Sequence, residues 1–457
     1  MSRKLLAAAS VVSRLVVGSG AFIIIGHYIP PEAFGRISVF FAAASMMCLV
    51  ADYGLQNPAL RAMSINADKA AYEINEYTLF RILMGLVVSA VTLPFLWGTG
   101  FIHPADTLIF VYLFLSVFVS AHADFIQIYF RATNRYSVEA YISIASGIMH
   151  MVFIALAAAL TRDVQFISLA YLVSRSLYLL ISYVVVRRYI AFGRWTRDEI
   201  AAHFRAFMRN SYKRKSYAAD TVITASFSQV DVLMVNYFFG AHGVGVYQLG
   251  AKVVQFSLAI VQVFTITYVP QMSRALHAGK EGALHAAQLL RRATIELVIA
   301  GVVFSALMVY ALPPAIVMFF GEKYHEVNTL WFALGIGVIG RCAAASFGIA
   351  LIALDKPSVR AAGQTFIIVF YILTGLYIYP TFGFSHIASV ISLALWAATA
   401  FYLISTYRVA PQLVRDAFLP RRIARPQGSG LDEIGKADDD NQTGAPPMTV
   451  ATESKKA

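Results

Sequence analysis

Apolar windows of about 20 residues, the length a helix needs to cross the hydrocarbon of a bilayer, return roughly every thirty residues along nearly the whole chain. No other feature constrains the fold so tightly. Lipid offers backbone amides no partner, so each window must close its own hydrogen bonds as a helix. Twelve candidate spans result, at roughly 5–26, 37–58, 80–101, 107–129, 140–160, 166–186, 217–239, 244–269, 294–320, 328–354, 363–380 and 385–407. Composition agrees: 58% of the 457 residues are hydrophobic and 14% are charged, against about 25% charged in soluble proteins. The expected fold class is all-α, a polytopic membrane protein with about 12 transmembrane helices. The small-residue cluster Ala7 to Ala9 precedes most of the first apolar run. Signal cleavage there makes no sense, so an uncleaved first span is expected.

The basic residues set the orientation. With the N-terminus in the cytoplasm, the inward connections hold about 30 of the 37 Lys and Arg residues. Among them are Arg61, Lys69 and Arg81, the nine between Arg187 and Lys215, and the eight from Arg408 onward. The outward connections hold only Arg36, Arg162 and Lys323. Both termini are therefore expected in the cytoplasm. The same bias accounts for the net charge of +12 without any nucleic-acid partner.

The long inward segment divides the chain. The expected units are an N-lobe at 1–186 with spans one to six, a basic cytoplasmic linker at 187–216, a C-lobe at 217–410 with spans seven to twelve, and a disordered cytoplasmic tail at 411–457. In the linker, Trp195, Ile200, Phe204, Phe207 and Met208 recur at partly helical spacing among basic residues, which suits a helix lying along the membrane surface. The two lobes also repeat each other. RATNRYSV (Arg131 to Val138) follows the fourth span and IALDKPSV (Ile352 to Val359) the tenth, with Ala132, Arg135, Ser137 and Val138 matching Ala353, Lys356, Ser358 and Val359. GHYIPPEAFGRIS after span one likewise parallels NYFFGAHGVGVYQ after span seven, with Gly35 opposite Gly245. Six spans per lobe make the repeat parallel, an arrangement that transporters build around a midplane site.

EAFGRISVFFAAASMMCLVADYGLQNPALR and DVLMVNYFFGAHGVGVYQLGAKVVQFSLAIVQVFTITYVPQMSR (Asp231 to Arg274) carry a resemblance. The first resembles the opening of bacterial polysaccharide-biosynthesis membrane proteins, with a Phe-Gly after span one and an "aDfGl"-like end of span two. The second resembles the same family's spans seven and eight, with a Gly-x-Tyr turn and a closing Pro-x-x-Ser-Arg. The likeness runs from about Leu5 to Arg408. It implies a MATE-like fold and a Wzx-type flippase of O-antigen or exopolysaccharide repeat units in the bacterial inner membrane. The implied substrate is undecaprenyl-diphosphate-linked oligosaccharide drawn from membrane lipid, with the pathway's polymerase and co-polymerase as further partners. The implied protein is no enzyme and needs no cofactor.

Charges inside the spans locate the candidate site. Arg14, Arg175, Lys252 and Arg341 are the basic residues well inside apolar windows, and Asp52, Asp124 and Asp231 are the clear intramembrane acids, with Asp220 and Glu296 nearer the cytoplasmic ends. An ionised group at the bilayer centre costs at least ~2.5–3.5 kcal/mol, so each must face an aqueous cavity or a partner. Depth along antiparallel helices suggests two pairs, Asp52 with Arg14 and Asp231 with Lys252. Two readings stay open. The four cations line a cavity and attract the lipid diphosphate, which arginine suits through its planar fork, while Asp52, Asp124 or Asp231 carries a coupling ion. Alternatively, the charges lock neighbouring helices as ion pairs.

Other signals are weaker. His122 and His150 read as core histidines, and Tyr53, Tyr112, Tyr178 and Tyr371 as packing or belt tyrosines rather than sugar platforms. Cys48 and Cys342 sit in apolar runs as buried thiols, with no basis for a metal site. GIGVIG (Gly335 to Gly340) fits a dinucleotide fingerprint but follows no strand. Gly340, Ala344 and Gly348 are instead expected to form a small-residue stripe for helix packing. The competing functions are a MATE-like exporter of small cations and a membrane polymerase or glycosyltransferase. The short outward connections speak against the second.

Overall fold

A computed structural model describes residues 17–66, 70–190 and 197–419. They form helices α1 (Val17–Tyr28), α2 (Pro31–Asp52), α3 (Gln56–Ile65), α4 (Ala70–Gly98), α5 (Thr107–Ala132), α6 (Tyr136–Thr161) and α7 (Val164–Arg187). They continue with α8 (Arg197–Leu276), α9 (Gly279–Phe320), α10 (Trp331–Ala353), α11 (Pro357–Phe382), α12 (Ile387–Val409) and α13 (Pro411–Phe418). Among the described residues there is no strand.

Ten helices among the described residues are long and apolar enough to cross a membrane. One of them, α8, is two spans in sequence. Gly240 leaves helical geometry at φ 64° and ψ −171°. The Tyr247 hydroxyl then reaches Asp231 at 2.6 Å, although sixteen residues of straight helix would hold them ~24 Å apart. The chain therefore folds back at Gly240. With α1, whose start lies outside the described residues, this makes the twelve spans that the hydropathy pattern predicts.

Helix ends follow local chemistry. Pro31 and Pro357 open α2 and α11, where a missing amide hydrogen costs nothing. Asp163 caps α7 by accepting from the Gln165 amide at 2.7 Å. Two expectations shift. The second span stops at Asp52, where Tyr53 turns left-handed (φ 49°), and α3 is a separate short helix. The third begins at Ala70, so Arg81 lies inside a helix rather than in a connection.

The expectation of disorder from 411 fails at its first residues. Residues Pro411–Phe418 form α13, which buries Leu413, Val414 and Ala417. The segment expected to lie along the membrane surface is helical from Arg197 and runs straight into the seventh span. Residues 191–196, and the tail from Pro420, lie outside the described residues.

Within the first half, α5 packs on α7 and α2, and α6 on α7. Within the second, α10 packs on α12 and α9, and α11 on α12. The internal repeat is written into the backbone. Asn134 and Asp355, four residues beyond matching points in α5 and α10, both take positive φ (58° and 55°), and Arg162 and Gly383 do the same after α6 and α11. The Arg135 amide donates to the Phe130 carbonyl as the Lys356 amide does to Leu351. One register thus relates α5–α6 to α10–α11.

The two halves meet most extensively through α2 and α8. A Cβ placed on Gly35 would lie 1.7 Å from the Ala241 carbonyl oxygen, and one on Gly245 would lie 1.9 Å from that of Pro31. Gly35 corresponds to Gly245, and Pro31 to Ala241. The contact is therefore reciprocal, as at a two-fold axis. The same end of the bundle, here the Pro30 end, carries a second tie. Lys323 Nζ donates to the His27 and Ile29 carbonyls at 2.5 and 3.2 Å, at the C-terminus of α1, where carbonyls lack helical partners.

A candidate anion site between cation-lined cavities

Asp231 does not pair as depth alone suggested, and Asp52 has a partner that depth did not suggest. Asp52 ends α2 against α4. Its Oδ1 accepts from the Tyr77 hydroxyl at 2.9 Å and pairs with Arg81 Nη1 at 3.0 Å. Arg81 is fully buried, lies over the Phe118 ring at 4.7 Å, and leaves Nε and Nη2 without partners. Asp52 thus has its cation on the third span. Arg14, its expected partner, lies outside the described residues.

Asp124 accepts from the Tyr178 hydroxyl at 2.6 Å. Asp231 accepts from Tyr247 at 2.6 Å and from the Val232 amide at 2.8 Å. No ion pair joins it to Lys252, whose Nζ instead lies 4.1 Å from the centre of the Phe22 ring on α1. Glu296 repeats the theme, accepting from Tyr268 at 2.6 Å and pairing with Arg292 at 2.7 Å. A tyrosine hydroxyl donates to every one of these carboxylates. Such a bond stabilises the charge without consuming a cation.

The cations are thereby left over. Among the described residues, no carboxylate lies within ion-pair distance of Arg175, Lys252 or Arg341. Arg175 lines a cavity of about 200 Å³ with Asp124, Tyr178, Ser120, Ser143 and Ser146. Arg341 stands between two cavities of the second half. One, about 220 Å³, carries Asp231, Tyr247 and Tyr371. The other, about 210 Å³, carries Arg360, Gln364 and Tyr402. Arg341 Nη1 is buried without a hydrogen-bond partner.

Three sequence readings change on contact with this geometry. Tyr178 holds a half-buried acid, and Tyr371 hydrogen-bonds Tyr379 at 2.8 Å while lining a cavity. Of the small-residue stripe, only Gly340 packs closely, against Trp396; Ala344 and Gly348 line a cavity. Arg81, read as a connection residue, belongs to the buried pair, and Arg360 belongs to the cavity wall. His150 is a core histidine, with Nδ1 2.7 Å from the Ser174 hydroxyl. Cys48 and Cys342 are buried and free, and the described residues hold no cluster of metal-ligating side chains.

A twelve-span, parallel-repeat bundle with unpaired cations facing internal cavities is a multi-pass membrane transporter fold. The chain belongs to the polysaccharide biosynthesis protein family, which it matches over residues 5–276. No curated protein matches it. The fold is shared with solved membrane transporters. An inward-facing multidrug resistance MATE transporter superposes with TM-score 0.65 at 13% identity, covering 89% of this chain and 98% of that one. The lipid II flippase MurJ, inward closed, gives 0.64 at 15%, covering 90% of each. A Vibrio cholerae MATE transporter, VcmN, gives 0.56 at 15%, covering 90% and 97%.

Proposed function

We infer that the chain is a flippase that moves undecaprenyl-diphosphate-linked oligosaccharide across the bacterial inner membrane, supplying O-antigen, capsule or exopolysaccharide assembly. One observation carries this reading. Arg175, Lys252 and Arg341 lie inside the bundle while the nearby acids are satisfied by tyrosines. Charges at that depth are costly unless a counter-charge arrives, and a diphosphate is such a counter-charge. The family and the likeness of fold to a lipid II flippase support the substrate class.

The halves, 1–186 and 217–410, rock about the α2–α8 crossing by alternating access, and the polyprenyl tail stays in lipid. The Pro30 end faces outward, and both termini lie in the cytoplasm, following the basic residues. The reaction is transport without covalent change, so the protein is no enzyme. The polymerase and co-polymerase of the same pathway take up the product. The rival reading, a MATE-like exporter of small cations, draws on the neighbours' fold but predicts cavities dominated by free acids.

Reconstitution tests this. In proteoliposomes, a lectin outside should gain access to a fluorescent polyprenyl-diphosphate oligosaccharide only when wild-type protein is present. Arg341→Gln, Arg175→Gln and Lys252→Gln together should slow this at least tenfold. Wild-type rates in the triple variant would overturn the reading, and efflux of a small organic cation in place of glycan would favour the rival.

A further inference from the structure

The internal repeat ranks the cations. The register fixed by Asn134 and Asp355 places Ser120 opposite Arg341, Asp124 opposite Ala345, Ser143 opposite Gln364 and Ser146 opposite Ile367. All eight residues line cavities, the first of each pair in the first half and the second in the second half. The two cavities are therefore counterparts under the repeat, and they differ in charge. The first holds one arginine and one carboxylate. The second holds Arg341 and Arg360 and, among its described lining residues, no acid. Where the first half puts Asp124, the second puts Ala345, one helical turn from Arg341.

We propose that this second-half cavity is the oxyanion receptor, binding a phosphate or diphosphate between Arg341 and Arg360, and that its first-half counterpart is the self-neutralised copy. Arg360 lies exposed near the start of α11, so an anion entering from that end meets it first. Arg341, twelve residues before the end of α10, is roughly 18 Å deep, and its buried Nη1 is free to donate. Between them Gln364 Nε2 donates to the Tyr402 hydroxyl at 2.9 Å, and that hydroxyl donates to the Arg360 carbonyl at 3.1 Å. This chain fixes part of the wall of the cavity that both arginines line. Arginine forks grip phosphate oxygens bidentately.

The proposal rests on the lipid-linked reading for its natural ligand, but not for its chemistry. Binding to purified full-length protein in detergent is measured with three probes: inorganic pyrophosphate, a polyprenyl diphosphate and phosphatidylglycerol. Arg341→Gln should weaken polyprenyl diphosphate binding at least tenfold. Ala345→Asp, which puts a carboxylate where the first half has Asp124, should do the same. Arg175→Gln should change it less than threefold. Gel-filtration profile and melting temperature report folding, and Arg341→Gln carries the test where Ala345→Asp fails to fold. Wild-type affinity in Arg341→Gln, or equal losses in Arg175→Gln and Arg341→Gln, overturns the proposal. Arg341-dependent pyrophosphate binding without preference for the polyprenyl form supports the oxyanion receptor and counts against the lipid-linked reading. Equally tight, Arg341-dependent binding of phosphatidylglycerol assigns the receptor to ordinary headgroups, with the same consequence.

Discussion

Gly35→Ala is the sharpest perturbation of the crossing between the halves. The added Cβ would stand 1.7 Å from the Ala241 carbonyl oxygen and 2.8 Å from the Gly245 nitrogen, whereas ordinary contact begins at 3.4 Å. Both obstacles are backbone, so no rotamer relieves them. The α2 and α8 axes must part by roughly 1.5 Å to restore contact distances. Overpacking of this kind costs about 1–3 kcal/mol, and the cost falls on the state in which the Pro30 end is closed. A bias of that size shifts the closed–open equilibrium by about 5–150-fold. Spin labels on the exposed residues His103 and Ser385, one per half at that end, read the shift by electron–electron resonance. The native Cys48 and Cys342 are buried. Gly35→Ala should add a longer-distance population, and Gly245→Ala should add the same one, because the contact is reciprocal. A folded Gly35→Ala protein with unchanged distances would refute the crossing as the closing contact.

Three further outcomes are expected. Asp52→Asn leaves Arg81 buried without its counter-charge, which should cost about 3–5 kcal/mol; Asp52→Leu with Arg81→Met should recover most of the melting temperature, and no recovery would argue against a simple pair. Lys323→Met frees the last carbonyls of α1 and should lengthen the His103–Ser385 distance in the same direction as Gly35→Ala but less; a shortening would contradict the tie. Gly363→Ala places a Cβ 2.3 Å from the Tyr402 ring, so it should displace that ring and lower polyprenyl diphosphate affinity in isothermal titration; unchanged affinity would remove Tyr402 from the receptor wall.

Much of this was legible in the order of residues. Hydropathy has the period of a membrane span, so twelve helices and their antiparallel order follow from one dimension of information. The match of RATNRYSV to IALDKPSV foretold the register that the left-handed Asn134 and Asp355 display, because turn chemistry is local. Depth, too, is nearly sequential, and it set Arg175, Lys252 and Arg341 within apolar spans, which the structure forms as α7, α8 and α10. Partner choice was not legible. It depends on which face of each helix meets which neighbour, and helix rotation is set by packing across the bundle. Asp231 and Lys252 share a depth, yet Tyr247 takes the carboxylate while the ammonium turns to Phe22. Arg81, twelve residues into a helix whose first turns hold Glu73 and Glu76, looked like a loop residue because local composition there is polar; only its neighbours make that stretch interior. The sequence by itself determined that several charges would lie within the spans. Tertiary structure decided which of them found a partner, since a hydrogen bond is a matter of ångströms in three dimensions and a sequence measures distance along only one.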